Sequence, residues 1–105
     1  MNSFEELEEL VLNWADAKGI LQASTAPIQM TKTLEECAEV LRELHATNLD
    51  PDALTSEYGD ILVTLIVGMR IANVRPTTAL HEAYLKISKR FGRMEGGVFV
   101  KDGER

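Results

Sequence analysis

Apolar residues recur every three to four positions along most of the chain, which is the spacing of one face of an α-helix. The pattern predicts helices over residues 4–18, 30–46 and 77–91, and a further helix that begins at Pro51. No long stretch alternates between apolar and polar residues, so the predicted fold class is all-α, a four-helix bundle. Since no linker or internal repeat interrupts the pattern, residues 1–105 are expected to form a single domain.

Residues typical of helix ends support these boundaries. Ser3 and Glu6 have the spacing of a capping box, in which each side chain bonds a backbone N–H of the other residue. Asp50 is predicted to be the N-cap of the third helix, because aspartate side chains accept hydrogen bonds from the first N–H groups of a helix. Pro51 fits the first helical position, where the N–H that proline lacks would have no partner. Gly19 is a plausible stop for the first helix.

Two stretches are expected to be non-helical. Residues 20–28 contain serine, threonine and proline and are predicted to form an extended loop. The tail, residues 93–105, contains Gly96-Gly97 and the apolar run 98–100, which predicts a short C-terminal arm.

The second predicted helix has two contrasting faces. At 100° per residue, one face carries apolar side chains and nearly the opposite face carries charged ones. The apolar set is Leu34, Cys37, Leu41 and Leu44, and the charged set is Lys32, Glu36, Glu39 and Glu43. The apolar face is expected to be buried, with Cys37 as a small hydrophobic residue within it.

The third predicted helix is apolar around most of its circumference. Its apolar residues are Ile61, Leu62, Val63, Leu65, Ile66, Val67, Met69 and Ile71. In a bundle of four short helices, neighbours cover only part of one helix, so the exposed remainder favours pairing with a second copy. The bundle is therefore expected to be completed by homo-oligomerisation, as a dimer or a dimer of dimers.

Composition narrows the classes of function. The formal net charge of −6 argues against binding of a nucleic acid polymer or an anionic membrane, because both need a basic surface. The single cysteine, Cys37, allows no intramolecular disulfide and fits a reducing cytoplasm. The acidic start has no signal-peptide pattern, and the apolar stretch 61–74 is shorter than the roughly 20 residues that span a bilayer.

Two pairs of acidic residues carry the candidate chemistry. Glu36 and Glu39 are three positions apart on the second helix, and Glu57 and Asp60 have the same spacing on the third. Each pair therefore lies on one helical face. Two such helices packed together would present four carboxylates to one space, which favours a hard divalent cation such as magnesium or manganese. Ordinary solvated helix acids are the competing interpretation.

The order of these motifs resembles the MazG-like nucleotide pyrophosphohydrolases. Residues 32–40 and 57–62 resemble the family signature E-E-x-x-E … E-x-x-D. The likeness extends to W-x-x-x-(R/K)-G-I over residues 14–20, to Q-x-x-K over residues 29–32, and to K-I-x-x-R-x-G-x-M-x-x-G-x-F-V over residues 86–100. Together these segments span nearly the whole chain.

The resemblance implies hydrolysis of a (deoxy)nucleoside triphosphate to the monophosphate and pyrophosphate. It implies Mg²⁺, with Mn²⁺ as a substitute, held by Glu36, Glu39, Glu57 and Asp60. It further implies catalytic roles for Glu35, Glu36 and Lys86, and substrate contacts for Lys32, Lys86 and Arg90. Lys86 and Arg90 also fit a solvated basic stripe on one helical face, and Lys32 also fits an ion pair with Glu36.

Two alternative functions stay open. A dUTPase-like or other specialised nucleotide pyrophosphatase belongs to the same helical group, and a non-catalytic, metal-stabilised regulatory module belongs to another class. A phosphoribosyl-ATP pyrophosphatase is disfavoured, because Asp60 is not followed by the expected Tyr-His. Tyr84 stands where larger MazG proteins often carry asparagine. The substrate preference of those proteins is therefore not expected to apply to this chain. Trp14 is expected to be a core residue rather than a contact to a base.

Overall fold

The computed structural model describes residues 2–103, which divide into two compact units, one ending at Val74 and one beginning at Arg75. The described chain is mostly helical, with one short hairpin. Its elements are α1 (Phe4–Ala17), α2 (Ile20–Ala23), α3 (Ala26–Leu44), α4 (Pro51–Ile71), α5 (Pro76–Ile87), β1 (Gly92–Glu95) and β2 (Val98–Lys101). The helical fold class and the C-terminal arm are confirmed, although the described chain has five helices rather than four.

The predicted caps are present at α1 and α4. Glu6 donates its backbone N–H to Ser3 Oγ, and Ser3 donates its own to Glu6 Oε1, each at 3.1 Å. Asp50 Oδ1 accepts hydrogen bonds from the N–H groups of Asp52 (3.0 Å) and Ala53 (3.3 Å). These side chains satisfy donors that have no partner within the first helical turn.

The predicted extended loop over residues 20–28 is wrong. Residues Ile20–Ala23 form the short helix α2, and α3 begins at Ala26 rather than at residue 30. Thr25 caps α3 by accepting the N–H of Ile28 at 3.3 Å, and Pro27 occupies the first turn. The proline therefore lies at the start of the helix and does not interrupt it. An N–H group in the first turn has no acceptor within the helix, so proline loses no hydrogen bond there.

Helix α5 ends earlier than the apolar pattern predicts. It stops at Ile87, and Arg90 lies in the turn beyond it, where its N–H donates to the carbonyl of Ile87 at 3.1 Å. Lys86 and Arg90 therefore do not share a helical face as predicted. The chain then pairs β1 with β2 in an antiparallel hairpin. A Cβ at Gly92 would overlap the carbonyl oxygen of Val100, so the pairing requires glycine at this position.

The core of the first unit lies where α3 and α1 pack against α4. Its buried apolar residues are Ala15, Val40, Ile66 and Val67. Between α3 and α4, the buried Thr33 hydroxyl donates to Thr64 Oγ1 at 2.8 Å, and Thr64 donates to the carbonyl of Ile61. The hydrogen bonds allow two hydroxyls to be buried at a helix contact without loss of a partner.

Helix α3 meets α4 through the strip between its two faces, not through its apolar face. Thr33 and Val40 are buried at this contact, whereas Leu34 is 63% exposed and Leu41 is 58% exposed. Cys37, on the same apolar face, is exposed as well, so the expectation that it is buried is wrong. We call Met30, Leu34, Cys37, Leu41 and Leu44 the apolar stripe of α3.

The apolar side chains of α4 are less exposed to solvent than those of the apolar stripe of α3. Thr64, Ile66 and Val67 are buried, and Leu62 is the exposed member of its apolar run. None of the helices in the described part of the chain has the length and apolarity needed to cross a membrane.

Candidate active site

Packing of α3 against α4 brings the two acidic pairs together. The pKa of Glu36 is raised, first because the half-buried carboxyl group loses solvent, then because Glu39 and Asp60 are close. The Glu39 side chain thus contributes to the rise in the pKa of Glu36, and Lys32 partly offsets it. A carboxylate raises the pKa of another carboxyl group only at short range, so Glu39 and Asp60 are both neighbours of Glu36. The two pairs therefore face one space.

Glu57 is the most constrained carboxyl group of this cluster. Its Oε2 atom is buried and has no hydrogen-bond partner in the described part of the chain. Its pKa is raised by desolvation first, and then by the charges of Glu43, Glu39 and Asp60, with Arg42 opposing the shift. A buried carboxylate oxygen without a partner is costly, so it marks a position that suits a cation.

Glu43 is a fifth carboxylate of the cluster that sequence analysis did not assign to the site. It is half-buried, and its charge is the largest electrostatic contribution to the raised pKa of Glu57. The available signal was its helical position, because it lies four residues after Glu39 and seven after Glu36 on the charged face of α3.

The chemical type of these side chains suits a hard divalent ion. All five side chains offer carboxylate oxygens, the ligands that Mg²⁺ and Mn²⁺ prefer. Within residues 2–103, however, no three His, Cys, Asp or Glu side chains are arranged to hold a metal ion. The carboxylates are thus neighbours that would need side-chain rotation on α3 and α4 to form a coordination sphere.

Lys32 and Glu35 lie at the edge of this cluster. Lys32 Nζ is 3.8 Å from Glu35 Oε2, and both side chains are exposed. The lysine therefore pairs with Glu35, not with Glu36 as the alternative interpretation held, although its charge still acts on Glu36. An exposed pair at this distance is weak and leaves both groups free to meet a ligand.

Two cavities adjoin the cluster within the first unit. The larger, of about 650 Å³, has Lys32 and Glu35 in its wall. The smaller, of about 410 Å³, includes Asp60. Trp14 and Val63 line both. Trp14 is 47% exposed and forms a cavity wall, so the expectation that it belongs to the core is wrong. Ala15, the next residue of α1, makes the buried contact instead.

Comparison with known proteins gives the family. Residues 25–99 match the model of the MazG nucleotide pyrophosphohydrolase domain, a segment that contains all of the carboxylates described above. This chain belongs to the MazG family. It is also 31% identical over 99 residues to the nucleoside triphosphate pyrophosphohydrolase/pyrophosphatase MazG of Thermotoga maritima. That alignment covers 94% of this chain and 33% of the relative, so the chain spans about a third of the relative's length. The search of solved structures gave no significant match.

Two predicted phosphate contacts of this MazG-family chain lie in its second unit. Lys86 is in the last turn of α5, and Arg90 is in the turn that precedes β1. Both fall inside the matched segment. Their roles toward phosphate remain predictions.

Proposed function

We propose that this MazG-family chain hydrolyses nucleoside or deoxynucleoside triphosphates to the monophosphate and pyrophosphate. The observation that carries the proposal is the acidic cluster, in which both predicted pairs are neighbours and Glu57 buries an oxygen without a partner. Carboxylates arranged in this way repel one another, so a purely structural role would cost stability. A site for a cation and an anionic substrate explains why that cost is tolerated.

Glu36, Glu39, Glu57 and Asp60 would hold Mg²⁺ or Mn²⁺, and Glu43 is close enough to Glu57 to support it. When bound, a divalent ion there neutralises phosphate charge and lowers the pKa of water. The carboxylates themselves would hold the ion. Glu57, the least exposed to solvent at Oε2, would gain the most from a cation.

Glu35 and Lys32 would act on the two reactants. Glu35 is exposed and can accept a proton from the attacking water, while Lys32 can contact a phosphate oxygen as a cation with three donors. Each would have to exchange its present 3.8 Å partner for the reactant. Lys86 and Arg90 are proposed to bind the remaining phosphate charge.

The apolar stripe of α3 is the proposed contact with a second copy of the chain. Its leucines lie on one face, and three of them are between 43% and 63% exposed. A contiguous apolar surface of this kind is rarely left to water, and a twofold axis covers it with the same surface of another subunit. We therefore place the homo-oligomer contact on α3, whereas the sequence pattern placed it on α4.

The test is release of pyrophosphate from a panel of ribo- and deoxyribonucleoside triphosphates, with and without Mg²⁺. Metal-dependent release of pyrophosphate, with the monophosphate as co-product, is expected. Activity confined to dUTP would indicate the specialised alternative. No release from any nucleotide, by a folded protein that still binds Mg²⁺, would indicate the regulatory module instead.

The phosphate contacts are tested separately. Lys86→Ala is expected to lower kcat/KM while Mg²⁺ binding, followed by calorimetry, persists, because the lysine would contact phosphate and not the ion. Lys89→Ala, a neighbouring lysine outside the predicted set, is the matched control. Unchanged kinetics in both Lys86→Ala and Arg90→Ala would return these residues to the solvated-stripe interpretation.

A further inference from the structure

The larger cavity has a chemical character different from that of the acidic cluster. Apolar side chains of all four helices of the first unit line it, among them Trp14, Ile20, Ile28 and Val67. Its volume of about 650 Å³ lies within the roughly 300–1,000 Å³ range of small-molecule sites. An apolar chamber of this size suits a flat heterocycle better than a phosphate chain.

The two cavities are adjacent and share part of their walls. Asp60 is in the wall of the smaller cavity, and Trp14 and Val63 line both cavities. A ligand that fills both would place a cation-binding, anionic group near Asp60 and an apolar, aromatic group beside Trp14. A nucleotide has that division of chemistry along its length.

Two polar side chains lie within the apolar wall. Gln29 Nε2 donates to Ser24 Oγ at 2.9 Å, and both residues are half-buried and line the larger cavity. That bond leaves the carbonyl oxygen and one N–H of Gln29, and the hydroxyl hydrogen of Ser24, without a partner in the pair. A small number of placed polar groups in an apolar wall is the arrangement that gives small-molecule sites their specificity.

Gly68 of α4 allows Gln29 to pack closely against that helix. A Cβ at Gly68 would lie 3.2 Å from the Cβ of Gln29, closer than ordinary van der Waals contact. The backbone of Gln29 also lies in the contact between α3 and α4, because its carbonyl oxygen is 3.0 Å from Thr33 Oγ1, which hydrogen-bonds with Thr64 of α4. Gln29 therefore reaches the cavity from a closely packed helix contact and not from a mobile loop.

We propose that the larger cavity binds the nucleobase, with Trp14 stacking on its face and the Ser24–Gln29 pair reading its hydrogen-bonding edge. That the ligand is a nucleotide rests on the proposed function, whereas the residues that decide base preference are inferred from the cavity. Trp14 and Gln29 are thus specificity-determining residues, and Gly68 is a positioning residue that acts through Gln29.

The first experiment uses Trp14, the chain's one tryptophan, as a reporter. Nucleoside monophosphates added with Mg²⁺ are expected to quench or shift its fluorescence saturably, and inorganic tripolyphosphate with Mg²⁺ is not. Equal responses to tripolyphosphate and to nucleotides would overturn the proposal, because the signal would then come from phosphate and metal alone.

The second experiment measures kcat/KM ratios between nucleotides that differ in their base. Gln29→Met keeps the length of the side chain but removes its hydrogen bonds, so the ratios are expected to change about tenfold or more. Gln22→Met is the control, because Gln22 is an exposed glutamine that does not line the cavity. Gly68→Ala is expected to change the same ratios in the same direction as Gln29→Met.

Trp14→Phe tests the stacking, with Phe4→Leu as the matched change on α1 away from both cavities. Trp14→Phe should raise KM for nucleotides and leave inhibition by tripolyphosphate unchanged, with helical content intact by circular dichroism. Unaltered base ratios and KM in Gln29→Met and Trp14→Phe, with pyrophosphate still released, would overturn this inference and leave the proposed function standing. Base-dependent quenching without any hydrolysis would support the cavity and reject the hydrolase.

Discussion

The two faces of α3 are treated in opposite ways by the fold. The charged face borders the contact with α4, where Glu36 and Glu43 are half-buried and nearby carboxylates raise the pKa of Glu36 and of Glu57. The apolar stripe, which burial would stabilise most, is left largely exposed, with Leu34 at 63% and Leu41 at 58%. This is the reverse of the usual arrangement of a surface helix.

The difference indicates that neither face is arranged for the stability of the single chain. Each face lacks a component: the charged face has too little positive charge to balance its carboxylates, and the apolar stripe lacks an apolar partner. A cation with its nucleotide would complete the first, and a second subunit would complete the second. These assignments predict large effects on turnover and assembly when the two faces are altered, and smaller effects on stability elsewhere.

The charged face should control turnover. Glu39→Gln and Asp60→Asn are each expected to lower kcat for pyrophosphate release by orders of magnitude, because each removes a charged oxygen ligand of the proposed ion. Helical content by circular dichroism should be unchanged. Glu9→Gln, an exposed change on α1, is the control. Near-normal turnover in both site variants would show that the cluster is not the metal site.

The apolar stripe should control assembly. Leu41→Asp removes a burial contribution of roughly 1.5–3 kcal/mol in each of two subunits, so dissociation should become at least about a hundredfold easier. Light scattering coupled to size exclusion measures this change. Leu49→Asp, an exposed leucine outside the stripe, should leave the mass unchanged. An active wild-type species with the mass of one 11.7 kDa chain would refute the second-copy assignment.

The ionised Glu57 side chain is expected to lower the stability of the metal-free protein. In chelator, Glu57→Gln is expected to raise Tm, because it removes a carboxylate that is desolvated and repelled by Glu43, Glu39 and Asp60. For the wild type, Mg²⁺ at about a hundred times its Kd should add about 2.7 kcal/mol to the free energy of unfolding. The variant should lose most of this gain.

The sign of the pH dependence follows from the raised pKa of Glu57. Its ionisation opposes folding, so in chelator the Tm advantage of Glu57→Gln should grow as pH rises from the usual glutamate pKa through the raised one. Above that range it should level off. Equal Tm values for wild type and variant across the range, with Glu9→Gln as reference, would mean that Glu57 is an ordinary solvated acid.

The α1 cap should be independent of both faces. Ser3→Ala is expected to lower the free energy of unfolding by about 1 kcal/mol, the usual effect of losing an N-cap. Bonds from the backbone and side chain of Ser3 lower the pKa of Glu6, so the capping contribution should fade as pH drops below the usual glutamate pKa through the lowered one.

Urea denaturation at neutral and acid pH measures the cap, with Ser56→Ala on an exposed position of α4 as the control. A change in oligomeric mass or turnover in Ser3→Ala would show that α1 is coupled to one of the faces of α3. Equal losses of stability at both pH values would mean that the Ser3 hydroxyl does not act on the ionisation of Glu6, whose bond to the backbone N–H of residue 3 is kept in the variant.

Local signals in the sequence were enough to predict where α1 and α4 begin and that each acidic pair lies on one helical face. Ser3 and Asp50 start helices because their side chains satisfy N–H groups within the next three residues, and the i, i+3 spacing alone places each acidic pair on one face. These properties depend on neighbours in the chain, so residue order is enough to infer them. The same local reasoning failed at Thr25 and Pro27, where capping chemistry was read as a loop.

Only the tertiary structure decided which side of each helix faces the core. Apolar periodicity indicates that a face prefers to be buried but not what covers it, so Cys37 and Trp14 were expected inside and lie outside. The buried oxygen of Glu57 and the role of Glu43 arise because α3 and α4 pack at one particular rotation, set by Thr33, Thr64 and Val40. Desolvation and charge repulsion depend on distances between side chains on different helices, and those distances follow from packing.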